Sequence, residues 1–271
     1  MYRSKTLIVT NNAFAPAEKK LSICLRPNGF SFSELTATGV LLTFGDAEGE
    51  HAASMTGVMA DVKAFFASVG IRPLGYGSIQ LVVISDESVW VPDELYAATS
   101  NRHYLKLAGS MALSALTAPC KALASTAVFT ANEALTMAFK VAFPGLKVVN
   151  QHVKLASSNI ERRSASHGVL LAHWREHAVD YAAYKGGRYV YGNTIPYGTD
   201  SEALFHTVEV MKSYGLEGAD SELLLCGEVG RERFALLRPY FPTVTLYTGT
   251  HTSYLNPEFK TLHTYRNALI L

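Results

Sequence analysis

Two stretches of this chain carry the same succession of signals, and that recurrence constrains the fold more than any single motif does. In the first, Leu21–Leu25 reads as a strand and Asn28-Gly29 as a tight hairpin turn, because both positions tolerate positive φ. Phe30, Phe32 and Leu35 carry a second strand, and Val40–Phe44 a third after the break at Gly39; Gly45–Gly49 reads as a loop. From Ser54 the period changes. Met55, Val58, Met59, Val62, Phe65, Phe66 and Val69 mark one helix face, Gly70 ends it, and Ile79–Ile84 is a β-branched run suited to burial on both sides. In the second stretch, Val169–Trp174, Ala178–Tyr184 and Arg188–Thr194 are three strands, the last two joined at Gly186-Gly187. Thr199 and Glu202 form a capping box ahead of Leu204, Val208 and Met211, and Gly215 ends that helix. Leu223–Cys226 is the buried strand, followed by Gly227-Glu228-Val229-Gly230, a helix towards Arg238 and a strand at Thr243–Tyr247. The shared pattern is a duplicated β-β-β-α-β-α unit, an α/β architecture. The offset between copies is near half the chain.

Between the copies, Pro92 with Asp93 and Glu94 predicts a helix start. Residues 107–128 are rich in Ala, Leu, Ser and Thr and suit strand or helix, with strands ending at Val128-Phe129 the favoured reading. Thr130–Glu133 reads as a capping box for a helix through Leu135, Phe139 and Phe143, and Leu146–Val149 as one more strand. Residues 155–166 are small and polar and predict a boundary, giving halves 1–158 and 159–271. Residues 1–20 read as an extended lead-in, and the tail beyond Tyr247 carries no assignable pattern.

Composition removes whole classes of function. The chain is 48% hydrophobic, which excludes disorder as the main state. Lys plus Arg is 24 and Asp plus Glu is 23, so there is no basic field for nucleic acid. Cys24, Cys120 and Cys226 are far apart, form no CxxC, and read as small buried residues. No apolar run reaches transmembrane length and the first residues have no leader pattern, so a cytoplasmic protein is expected.

The duplicated unit is the plan of the actin-like ATPase superfamily, a duplicated ribonuclease H-like fold with two halves around a cleft. Four segments resemble more closely one bacterial family of unknown function assigned that fold: Leu21-Ser22-Ile23 through Asn28–Ser33, Val91–Leu95, Tyr189–Thr194 and Leu225–Gly230. Their order along the chain carries the resemblance. It implies the fold and brings no established activity.

An active member of the superfamily needs two phosphate loops, at the first hairpin of each half, each with an acidic residue beside glycine to organise Mg²⁺ and water. Here the first turn is Arg26-Pro27-Asn28-Gly29-Phe30-Ser31, which keeps glycine but has no carboxylate, and Pro27 removes one donor. The second is Trp174-Arg175-Glu176-His177, without glycine. The adenosine motif is matched in part by Gly227-Glu228-Val229-Gly230. The residues that would hold a nucleotide are therefore Asn28, Gly29, Ser31, Gly227, Glu228 and Gly230, and none is assigned a catalytic role. The leading expectation is a catalytically degenerate scaffold with a protein partner and no cofactor. The alternative is an ATPase or kinase taking ATP and Mg²⁺ in the cleft, with acidic ligands from Asp46, Asp86 or Glu228. His173, Glu176 and His177 match a zinc-hydrolase spacing, but that geometry needs a helix where the repeat places a hairpin. Tyr181, Tyr184, Tyr189, Tyr191 and Tyr197 read as core in preference to a contact surface.

Overall fold

The computed structural model describes residues 2–10, 14–26, 29–49, 55–72, 74–112, 114–158, 160, 163–250 and 253–271. In chain order the first half contains β1 (Arg3–Val9), β2 (Lys19–Arg26), β3 (Gly29–Thr36), β4 (Val40–Glu48), α1 (Met55–Ser68) and β5 (Ser78–Val83). An excursion follows: β6 (Ser88–Pro92), α2 (Asn101–Leu107), β7 (Leu116–Cys120) and β8 (Ser125–Phe129). The chain then returns through α3 (Glu133–Ala142), β9 (Lys147–Asn150) and α4 (Gln151–Ala156). The second half contains β10 (Gly168–Trp174), β11 (Ala178–Lys185), β12 (Arg188–Pro196), α5 (Asp200–Ser213), β13 (Glu222–Gly227), α6 (Arg231–Leu237), β14 (Thr243–Leu246) and β15 (Ser253–Tyr254).

The first sheet runs β1-β4-β3-β2-β5-β9 and the second β12-β11-β10-β13-β14. Within each, an antiparallel three-strand meander, β2-β3-β4 or β10-β11-β12, is followed by two parallel strands: β2 pairs β5 and β5 pairs β9, as β10 pairs β13 and β13 pairs β14, and β1 adds a fourth antiparallel strand at the edge of the first sheet. The duplicated order read from the sequence is thus present strand for strand. The excursion makes a small third sheet, β6-β8-β7.

Burial explains the pattern. Between the first sheet and its helices lies an aromatic cluster centred on Phe30, whose ring lies 4.9–5.6 Å from those of Tyr2, Phe65, Phe66 and Phe139. Val58, Val62, Phe65 and Phe66 are the buried face of α1, and Leu135, Ala138, Phe139 and Ala142 that of α3. In the second half, Ala203, Thr207, Val210 and Met211 form the buried face of α5. Leu204 and Val208, which the apolar stripe marks for burial, sit at its edge. Tyr181 and Tyr184 are fully buried on opposite faces of β11, and Tyr197 is buried beside Trp174, while Tyr189 and Tyr191 are half-buried. Cys24, Cys120 and Cys226 are free and buried, and burial pushes the Cys24 thiol up to about 12.

Several expectations are corrected. The lead-in contains edge strand β1, antiparallel to β4; only Ile8 of it is buried, so its sequence carries no alternation. Residues 45–48 continue β4, paired on both sides by β1 and β3; Gly45 is a packing glycine, since the Phe32 ring fills the space where its side chain would stand. Pro92 ends β6, and only a 3₁₀ turn, Asp93–Leu95, follows. The cap of α3 is Asn132, whose side chain accepts from Leu135 N at 3.0 Å; Thr130 meets the Ser85 hydroxyl instead. The tail returns to the first sheet, where β15 lies parallel to β4, and Ala268–Leu271 are buried between the two sheets.

Truncating Phe30 removes the centre of the aromatic cluster. Phe30→Ala is expected to cost about 3–5 kcal/mol and to lower the melting temperature by on the order of 10 °C, measured by circular dichroism.

Candidate functional site

A cleft of about 1850 Å³ opens between the two sheets, lined by the end of β2, by β4, by the turn of the β10–β11 hairpin and by the segment linking β13 to α6. The tail contributes His263, Arg266 and Ile270 to its wall. Among the six nucleotide candidates, Ser31, Gly227, Glu228 and Gly230 line this cleft. Gly29 begins β3 but is not among its lining residues, and Asn28 lies outside the described residues. Asp46 and Asp86 line it as well.

The chain itself accounts for two of the glycines. Gly29 has φ +146° and a Cβ there would overlap the Ala47 carbonyl oxygen. Gly227 has φ +84°, and a Cβ would overlap the Trp174 carbonyl oxygen, which accepts from Glu228 N at 2.8 Å. Both therefore follow from the close approach of neighbouring strands.

Each first hairpin puts an arginine at the cleft, at matching positions in the two copies. Arg26 closes β2 and pairs with Asp46 of β4. Arg175 follows β10; its Nη1 donates to Asp86 Oδ1 at 2.6 Å and its Nη2 to Asp180 Oδ1 at 3.0 Å. Both arginines lie within the hairpin turns, and neither matches a phosphate-loop motif. Their recurrence at the same place in the repeat is the signal that finds them.

Asp180, on β11, is fully buried and is the centre of a polar network. It meets His173 Nδ1 at 2.9 Å and accepts from Thr194 Oγ1 at 2.6 Å and Gln151 Nε2 at 3.2 Å. Burial opposes its charge; the hydrogen bond from His173 and the charges of His173 and Arg175 prevail and hold the carboxyl well below the usual range. Gln151 also grips the Ser85 backbone, donating to its carbonyl at 2.5 Å and accepting from its N–H at 3.1 Å. His152 Nε2 lies 2.9 Å from Thr194 Oγ1, and burial pushes its ring towards the neutral form.

The His173-x-x-Glu176-His177 spacing falls on a hairpin: His173 is in β10, facing Asp180, and Glu176 and His177 are exposed in the turn. Among the described residues no three His, Cys, Asp or Glu side chains group to hold a metal ion, and no helix is long and apolar enough to cross a membrane.

A family model described as "Protein of unknown function (DUF3822)" matches residues 9–244, most of the chain. The chain belongs to this family. No curated protein matches it. Among solved structures it is similar to a Bacteroides thetaiotaomicron protein with actin-like ATPase fold and unknown function, at 16% identity over 85% of this chain and 91% of that one, with a TM-score of 0.70. It is also similar to a chain of the PilM-PilN type IV pilus biogenesis complex, at 10% identity over 94% of this chain and 100% of that one, TM-score 0.56. A third likeness is the ethanolamine utilization protein EutJ of Carboxydothermus hydrogenoformans, at 11% identity over 97% and 92%, TM-score 0.50. At these identities the likeness establishes the fold, which is that of the actin-like ATPases.

Asp180→Asn leaves Arg175 and His173 without their shared anion and is expected to cost about 3–5 kcal/mol. The depressed carboxyl contributes stability above the ordinary value of about 3.9, lost as the pH falls below it towards the folded-state value. The wild type should therefore show a steeper drop in melting temperature below about pH 4 than Asp180→Asn does. Gly227→Ala should destabilise the ligand-free protein by about 3 kcal/mol, read in a urea titration; an unchanged midpoint would remove the packing account of that glycine.

Proposed function

We propose that the protein is a catalytically degenerate member of the actin-like ATPase fold that acts as a protein-binding scaffold. The observation that carries this reading is the pairing of the cleft's acidic groups with arginine. Asp46 is held by Arg26, and Asp86 by Arg175. A carboxylate that organises Mg²⁺ must offer its lone pairs to the ion or its waters; Asp46 is largely buried against Arg26, and Asp86, though 76% exposed, gives one oxygen to Arg175. Glu228, the third acidic candidate, is exposed, and one carboxylate does not make a site for two phosphates and an ion. This donor set favours a cleft without Mg-ATP chemistry.

Arg26 and Arg175 attract phosphate by charge, which is the specific ground for the second reading, a nucleotide-binding protein. Binding there requires that phosphate compete with Asp46, Asp86 and the buried Asp180. The scaffold reading has support of another kind in the pilus biogenesis complex, where a chain of this fold is in a complex.

Thermal melting with millimolar Mg-ATP separates the two. A ligand at about 100 times its Kd stabilises by about 2.7 kcal/mol, a shift of about 5–10 °C for a chain of this size. The scaffold reading expects no shift beyond that of Mg²⁺ with sulfate at equal ionic strength. A nucleotide-specific rise that Arg175→Ala abolishes would overturn it.

A further inference from the structure

One wall of the cleft holds an aromatic recess that is already filled. Trp174, at the end of β10, is fully buried, and Tyr197 lies beside it with ring centroids 5.7 Å apart. Over both rings sits the guanidinium of Arg233 from α6, its central carbon 5.3 Å from the indole centroid and 5.7 Å from the phenol. Arg233 Nε donates to Asp200 Oδ1 at 2.9 Å and Nη1 to the Glu228 carbonyl at 2.8 Å. Two π faces, a carboxylate and a carbonyl are the groups that recognise a planar cation with forked donors. A lysine ammonium has neither the plane nor the fork.

We propose that this recess is a guanidinium site, occupied in cis by Arg233 and exchangeable for the arginine side chain of a protein segment lying in the cleft. The proposal rests on the scaffold reading and names the chemistry of its partner. Three observations favour exchange over a sealed core contact. The Arg233 and Asp200 side chains are 20% and 40% exposed, so their pair opens to water at the cleft. The exposed carboxylates Glu176, Glu228 and Glu232 outnumber the exposed arginines Arg231 and Arg266 at the cleft, which suits a cationic arrival. The Trp174 Nε1 donor is buried without a partner, a group that an arriving backbone carbonyl would satisfy.

The test uses the full chain in a Trp90→Phe background, where Trp174 is the remaining tryptophan. Arg233→Ala should melt lower than its parent, and millimolar methylguanidinium should restore about 2–4 °C, while methylammonium at equal ionic strength should not. The parent, with its recess filled, should gain markedly less from methylguanidinium and nothing from methylammonium. Nα-acetyl-arginine amide should change Trp174 fluorescence saturably in both proteins, with an apparent Kd at least about tenfold weaker in the parent because Arg233 competes; Nα-acetyl-lysine amide should do so in neither. Equal rescue by methylammonium, or no rescue, overturns the guanidinium site. A parent that never responds to the arginine amide overturns exchange. If Arg233→Ala does not fold, Arg233→Lys takes its place with the same expectations. Failure of rescue removes this site and leaves the scaffold reading standing. Stabilisation of the parent by Mg-ATP removes the scaffold reading whatever the rescue shows.

Discussion

A fully buried carboxylate is the interaction on which the arrangement of this molecule depends. Asp180 has no water to solvate it, and an isolated charge in that setting is intolerable. It persists because His173 and Arg175 come to it from the first hairpin of the second half, Thr194 from β12, and Gln151 from α4. Two of those donors also reach the loop after β5: Gln151 holds both backbone groups of Ser85, and Arg175 holds Asp86. The anion therefore fixes the second sheet against the end of the first. Apolar contact alone, spread over Leu155, Ile160, Val169, Leu171 and Phe44, would tolerate sliding; a hydrogen-bonded charge tolerates little. Whatever enters the cleft meets walls whose separation this network sets.

The same residues show why motif matching and chemistry part company. Glycine at positions 29 and 227 is what a phosphate loop and an adenosine motif ask for, yet in both places the chain's own carbonyl oxygens already demand it. Close packing of a strand pair explains the glycine without any ligand. A glycine pattern in this fold thus reports the frame, and the site must be argued from side chains that have no packing reason to be where they are.

Elements with strong periodicity were legible in the sequence. The stripe of α1 and the β-branched run of β5 bury as their spacing dictates, because burial is what wrote the spacing. Edge strand β1 was not legible, since one buried residue in seven leaves no alternation to read. Neither was the tail, whose Ala268–Leu271 gain their burial only from the meeting of two sheets already built. The polar centre failed for a different reason. Asp180 sits in a strand of buried apolar residues, where a lone carboxylate has no local signature; its donors lie up to 29 residues away and become a network only after the strands pair. The arginines of the two hairpins could have been found, because the repeat aligns them. What the sequence alone could not supply was their partners.

Those partners change the electrostatic logic of the cleft. In a phosphoryl-transfer site, carboxylates face phosphate across a bridging cation, and the balance of charge needs the metal. Here both hairpins present guanidinium groups at the corresponding place, and each is already matched to a carboxylate of the chain. An incoming anion must break an ion pair, and at Arg175 that pair includes a carboxylate that cannot reach water. An incoming cation meets a lower cost beside it on the same wall, where the Arg233 guanidinium, stacked on Trp174, is held by a half-exposed aspartate, a carbonyl and two rings, and only that solvent-reachable pair must open. The asymmetry between a locked anionic centre and an accessible cationic one is the physical reason for reading this cleft as a surface that meets protein.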